Sequence, residues 1–292
     1  MLFSRLRAAR VLGLRSRAFA RHLYQKVATV TIGALFVSRP GRRLRARLAA
    51  SDRPARVPDV ALAVVAHLYY LDLLPEILAC RAVLPGTAPL FLTVPEDKVA
   101  QARALTADVP ACEIRPCPNR GRDIAPFMEL LASGALDRFD AVLKLHTKRS
   151  PHLLDGEIRR KLLFDMLAGE RNATLRALAA FEDPATGMVG WADCYRTAPP
   201  YWMANEARVR AIAARMGAPE SAVKVGFFEG SMFWFRPSAL AALRELGLGT
   251  EDFEAEQGQV DGTLHHALER CFSIAAWARG FTVRDLRGRE LP

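Results

Sequence analysis

The 292-residue chain is 51% apolar and 25% charged, an ordinary globular composition with length enough for one large α/β domain or two small ones. Its net charge of +10 is carried by residues 1–56, which hold fourteen Lys/Arg against one acid, Asp52, while the remainder holds twenty-seven against thirty. A nucleic-acid-binding module would carry the positive footprint on its folded body, so nucleic acid is excluded as an expected partner.

Residues 1–26 alternate arginine with apolar residues, and Leu2, Leu6, Ala9 and Leu12 fall roughly on one helical face. The apolar run 27–37 is too short for a bilayer span, which needs about 20 residues. It lacks a clear small-residue cleavage site, and the basic stretch 39–43 follows at once, which disfavours a secretory signal. The arm therefore reads as a basic amphipathic segment, with residues 1–47 lying on an anionic membrane surface at about 1 kcal/mol per basic residue. A loosely docked arm is the alternative. Residues 53–58 read as a linker broken by Pro54 and Pro58, giving an arm over 1–58 and an α/β domain over 59–292.

Within that domain, 60–66 is a continuous apolar run, as expected of a strand buried on both faces, with His67, Tyr69 and Tyr70 at its end. A helix is predicted over 73–83, a strand over 89–94, a helix over 96–107 and a strand over 111–117. The polar loop 119–123 comes next, before a helix over 127–136 and a strand over 141–145. Helical pattern returns over 157–180, broken near Gly169, then a strand over 187–192 and a helix over 206–216. Residues 226–237 read as one glycine-punctuated aromatic strand containing a single acid, Glu229. Helices over 238–246 and 261–270 and a strand over 281–285 complete the chain. Strands alternating with helices argue for a mostly parallel central sheet flanked by helices. Five cysteines in no paired or metal-ligating spacing read as reduced thiols of a cytoplasmic protein.

Two basic clusters stand at expected carboxyl ends of strands, where ligands of open α/β sheets bind. The first is Asn119, Arg120, Gly121, Arg122 and Asp123; the second is Lys144, His146, Lys148 and Arg149. Together they imply a ligand with several negative charges, and a diphosphate fits, since guanidinium binds phosphate oxygens in a bidentate manner. No GxxxxGK[ST] or GxGxxG is present. Asp123 would either cap the following helix or accept hydrogen bonds from a nucleoside. Glu229, amid aromatic residues, reads as a desolvated carboxylate suited to general-base work or as an edge glutamate facing water. Asp261 is either an N-cap or the catalytic acid/base. His265 and Glu269 share a helix face, but with Asp261 and His266 they match no defined metal spacing.

Four segments carry a family resemblance: NRGRDIAPF at 119–127, DAVLKLHTKRS at 140–150, GFFEGSMFWFRPSAL at 226–240 and EQGQVDGTLHHALER at 256–270. With these, the chain from about residue 60 onward resembles the rhamnan synthesis protein F family of bacterial surface-polysaccharide biosynthesis. The resemblance implies a glycosyltransferase that adds a sugar, often rhamnose, from a nucleotide-diphosphate donor to a growing glycan. The motif order also resembles a GT-A-like nucleotide-sugar-binding architecture, whose members usually hold the diphosphate through a metal on Asp-x-Asp. The comparable strand end here, Lys144 to Lys148, has no acid, so no metal or cofactor is expected and cations take over the diphosphate. On this reading Asp261 or Glu229 is the base. Arg120, Arg122, Lys144, His146, Lys148 and Arg149 face the diphosphate, and His67 lies beside them. The competing expectation is a non-catalytic glycan- or membrane-docking scaffold whose aromatic residues pack a core or stack on sugars.

Overall fold

The computed structural model describes residues 31, 33–50, 56–147, 149 and 156–292. The predicted helical face at 2–12 and the first half of the linker at 53–58 lie outside them. The chain groups into two compact units, 1–48 with 148–162 and 49–147 with 163–292. In the first unit, α1 (Arg39–Ala50) carries Arg39, Arg42, Arg43, Arg45 and Arg47 and no acid, and Leu35, Phe36 and Leu44 are exposed. Among the described residues no helix is long and apolar enough to cross a membrane.

The larger unit is built on a seven-stranded sheet. Its strands are β1 (Leu62–His67), β2 (Leu90–Pro95), β3 (Cys112–Cys117), β4 (Ala141–His146), β5 (Thr186–Gly190), β8 (Phe233–Phe235) and β9 (Thr282–Asp285). A separate ribbon pairs β6 (Tyr195–Arg196) with β7 (Phe227–Phe228). The sheet order is β3-β2-β1-β4-β8-β5-β9, parallel except for β8, which runs against both neighbours. The chain winds outward from β1 through β2 to β3, then returns to place β4 on the other side of β1. That reversal leaves a crevice at the carboxyl ends of β1 and β4, the switch point at which open sheets of this kind take ligands.

Period-two alternation sorts the strand residues onto two faces. Ala63, Val65, Val142, Phe233, Phe235 and Val283 join the core formed with α4 (Ile124–Ala132) and α9 (Leu264–Ala278). Leu62, Val64, Ala66, Leu143, Leu145, Val189 and Trp234 join the core formed with α2 (Leu74–Ala82), α3 (Val99–Leu105) and α6 (Arg171–Ala179). The predicted break near Gly169 is where α5 (Gly156–Ala168) ends and α6 begins.

Two expectations change. The single aromatic strand over 226–237 is two strands in different sheets, joined by a turn in which Gly230 (φ 92°) and Ser231 (φ 54°) are left-handed, so Glu229 sits in a turn. The helix expected from Asp261 starts at Leu264. Gly262 is left-handed (φ 80°), and the Leu264 N–H is taken by Glu254 Oε2 at 2.9 Å, which starts the helix there.

Candidate active site at the sheet switch point

β1 and β4 end on histidines that are register partners, His67 opposite His146. Both are buried. The strand ends are tied together by Thr147, whose N–H donates to His67 O at 2.9 Å and whose Oγ1 accepts from the N–H groups of Tyr69 (2.9 Å) and Tyr70 (3.0 Å). His67 Nδ1 meets Thr93 Oγ1 at 3.0 Å, so the ring is held from β2. Burial, reinforced by the nearby His146 and Lys144, pulls the His67 imidazole down to about 4 against the attraction of Asp123. His67 is therefore neutral at physiological pH.

Asp123 reaches this crevice from the loop after β3. Gly121 (φ 65°) and Arg122 (φ 54°) are both left-handed, which turns the chain sharply into α4. Gly121 is required twice over: a Cβ there would lie 2.5 Å from Ala125 Cβ and 2.6 Å from Phe253 Cδ1. Asp123 occupies the cap position of α4, yet its side chain makes no capping bond. Its carboxylate instead accepts from Lys144 Nζ at 2.6 Å through Oδ2 and lies 2.8 Å from His146 Nδ1 through Oδ1. Burial alone would raise this carboxyl, but His146 and Lys144 together hold it well below the usual carboxylate range. An ionised Asp123 only accepts, so His146 Nδ1 carries the proton toward it, and Nε2 is the nitrogen through which the ring would exchange a proton.

The structure revises Lys144 most. Its side chain is sealed, 1% exposed, and its ammonium is shared between Asp123 and the Ser231 carbonyl at 2.9 Å. The rings of Phe127, Phe233 and Phe272 surround it at 5.1, 5.9 and 6.0 Å. A cation neutralised and enclosed in this way orients Asp123 and does not reach a diphosphate. Asp123 is correspondingly occupied by Lys144 and His146, in place of the helix N–H or nucleoside expected of it. Because β4 alternates, Lys144 and His146 share one face of the strand, two residues apart, and one carboxylate serves both.

The other expected site residues are spread around this core. Asn119 is exposed, and Arg120 is half-buried with its N–H on Pro118 O at 2.9 Å. Arg122 is exposed and grips Glu256 as a fork, Nε to Oε2 at 3.0 Å and Nη2 to Oε1 at 3.2 Å, with Gln259 O at 2.6 Å. That grip holds the Glu256 carboxyl below its ordinary range. Arg149 is exposed and belongs to the first unit, and Lys148 lies outside the described residues.

Neither expected base stands in this cluster. Glu229 pairs with Arg196, whose Nε donates to Oε2 at 2.8 Å, and its side chain is 44% exposed, so it is neither desolvated nor in a strand. Asp261 accepts from Ala204 N at 2.8 Å and Asn205 Nδ2 at 2.6 Å. Burial pushes its carboxyl up, but these bonds pull further, and it lies below its ordinary range. His265 and His266 both turn to Thr263 Oγ1, at 2.9 and 2.7 Å, and Glu269 accepts from Gly230 N at 3.0 Å. Among the described residues no group of three or more His, Cys, Asp or Glu is arranged to hold a metal. Thr93, Thr147, Ser231 and Glu256 carry no sequence signal of their own; only strand register and loop return bring them in.

The rhamnan synthesis protein F family matches residues 45–281, a stretch that contains every side chain of the switch-point cluster. The chain belongs to this family. It is also 34% identical over 243 residues to uncharacterized protein WxcX of two strains of Xanthomonas campestris pv. campestris. The match covers 78% of this chain and 34% of the relatives' length, so the chain spans about a third of the curated proteins it resembles. Membership ties the chain to rhamnan and polysaccharide synthesis.

Proposed function

We propose that the chain is a glycosyltransferase, moving a sugar, rhamnose by the family's name, from a nucleotide-diphosphate donor to a growing surface glycan. The observation that carries this reading is the Asp123–His146 pair at the carboxyl ends of β1 and β4, locked from behind by Lys144. Sugar transfer needs a proton taken from the acceptor hydroxyl and negative charge stabilised on the departing diphosphate. His146, with Nδ1 fixed on an ionised carboxylate, suits the proton step better than Asp261 or Glu229, both already engaged by strong donors. The sheet order, with its reversal between β1 and β4, supports a GT-A-like nucleotide-sugar architecture. Arg120 and Arg122, on the loop after β3, receive the diphosphate. The reaction on this reading proceeds without a divalent metal, because the nearest carboxylate, Asp123, is already held by two cationic or proton-bearing partners.

Calorimetry with nucleoside diphosphates, followed by a panel of nucleotide sugars, tests the proposal. Binding and transfer that persist in chelator, with turnover lost by about 10²–10³ in Arg122→Ala, are the expected results. Unchanged turnover in the Arg120→Ala, Arg122→Ala double variant overturns the diphosphate assignment. A protein that binds no nucleotide is the docking scaffold instead.

A further inference from the structure

The segment Pro199–Asn205 presents an exposed aromatic platform that the switch-point chemistry does not use. It is a 3-10 stretch interrupted at Met203, whose backbone is left-handed at φ 51°. Such a conformation in a non-glycine residue is strained and persists where the surroundings over-determine it. Here they do. Arg270 Nε donates to Tyr201 O at 2.8 Å, and Asp261 holds both Ala204 N (2.8 Å) and Asn205 Nδ2 (2.6 Å). Trp202 and Asn205 are buried as anchors, while Tyr201 and Met203 are 40% and 60% exposed.

The Tyr201 ring is backed by the Arg196 guanidinium, 5.5 Å from its centroid. Arg196 is fixed by Glu229 and by Asp193 O at 2.9 Å, and the Glu229 carboxylate remains 44% exposed beside it. An exposed ring face, a carboxylate and a guanidinium held in one rigid patch match a particular ligand chemistry. The charges of Arg196 and Glu229 cancel locally, which gives no preference for phosphate or an acidic lipid. A neutral polyol fits: its C–H face lies on the negative π-face of the ring, and its hydroxyls hydrogen-bond the carboxylate and guanidinium.

We propose that Tyr201, Arg196 and Glu229 form a saccharide subsite that receives the acceptor glycan. This rests on the glycosyltransferase reading for the word acceptor, but the binding surface stands on its own geometry. Glu229 thereby becomes a residue that grips acceptor hydroxyls, and Asp261 one that positions the platform.

The test is saturation-transfer NMR and calorimetry of the full chain with a short rhamnan oligosaccharide, in wild type, Tyr201→Ala and Tyr201→Phe. The expected result is about 2- to 10-fold weaker oligosaccharide binding in Tyr201→Ala and near wild-type binding in Tyr201→Phe, because the ring carries the contact. Nucleoside diphosphate binding stays the same in all three. Since the Tyr201 side chain is exposed, far-UV circular dichroism should show all three folded alike. Equal oligosaccharide binding in wild type and Tyr201→Ala, or none in wild type, overturns the subsite. Loss of nucleoside diphosphate binding in wild type with Tyr201-dependent oligosaccharide binding retained overturns the glycosyltransferase reading and leaves the subsite standing.

Discussion

Replacing Asp123 by Asn separates a structural ion pair from a surface one. The substitution keeps the shape of the side chain and removes its charge, leaving the ammonium of Lys144, a residue 1% exposed, among three phenylalanine rings with only neutral oxygens, the new amide and the Ser231 carbonyl, as partners. Removing one member of a buried pair typically costs about 3–5 kcal/mol, because the survivor is a buried charge without compensation. At about 2–4 °C per kcal/mol for 150–250 residues, the melting temperature should fall by roughly 6–20 °C. The Asp123→Leu, Lys144→Met pair removes both charges and should recover most of that loss, since an apolar replacement of a buried pair is often close to neutral. Thermal melts of Asp123→Leu, Lys144→Met and the double, read as a cycle, give the coupling. The sign with pH follows from Asp123, whose folded value lies well below the unfolded one. Its contribution is full above an unfolded value of about 4 and is lost only as pH falls through the folded value. The deficit of Asp123→Asn should therefore be constant from about pH 8 down to about 4 and shrink only below that. A variant that melts with wild type, or single effects that simply add in the double, would falsify the buried-pair account.

His67 supplies a second pH signature. It is held down to about 4 when folded against 6.5 in the open chain, so the unfolded state binds its proton first. Stability from this group is full above about 6.5 and falls as pH drops toward 4, by up to about 3 kcal/mol. Half-buried His266, also lowered to about 4, pushes the same way. Denaturant titrations of wild type and His67→Gln between those limits should show a shallower slope in the variant; equal slopes refute the assignment. Gly121→Ala should lower the melting temperature by roughly 4–20 °C, from about 1–3 kcal/mol of overpacking plus about 1–2 kcal/mol for the left-handed backbone. A melt within about 1 °C of wild type would mean that Ala125 and Phe253 move aside at little cost.

Much of the architecture was legible because its signals are local. Apolar runs mark β1, β2 and β4, which are buried on both faces. Strand–helix alternation implies the parallel sheet, and the polar loop at 119–123 announces a strand-to-helix turn at the carboxyl edge. Family membership was legible too, since the four segments that carry it are contiguous in the chain. Antiparallel insertion of β8 between β4 and β5 was not, because 226–237 reads as one glycine-punctuated aromatic strand across two left-handed residues.

For the site, the residue types were readable and their roles were not. The sequence by itself placed Asp123 after a strand and Lys144, His146 and His67 at or near strand ends, from which they could face one crevice. Only the tertiary structure decided that Asp123 turns from its own helix to Lys144 and His146. It also decided that Lys144 is sealed away from ligand, and that Glu229 and Asp261 are bound by Arg196 and Asn205. The physical reason is that a charge's role depends on which opposite charge lies within about 3 Å and how much water is left around it. Both are set by strand register and loop return across partners 21 to 87 residues distant in the chain.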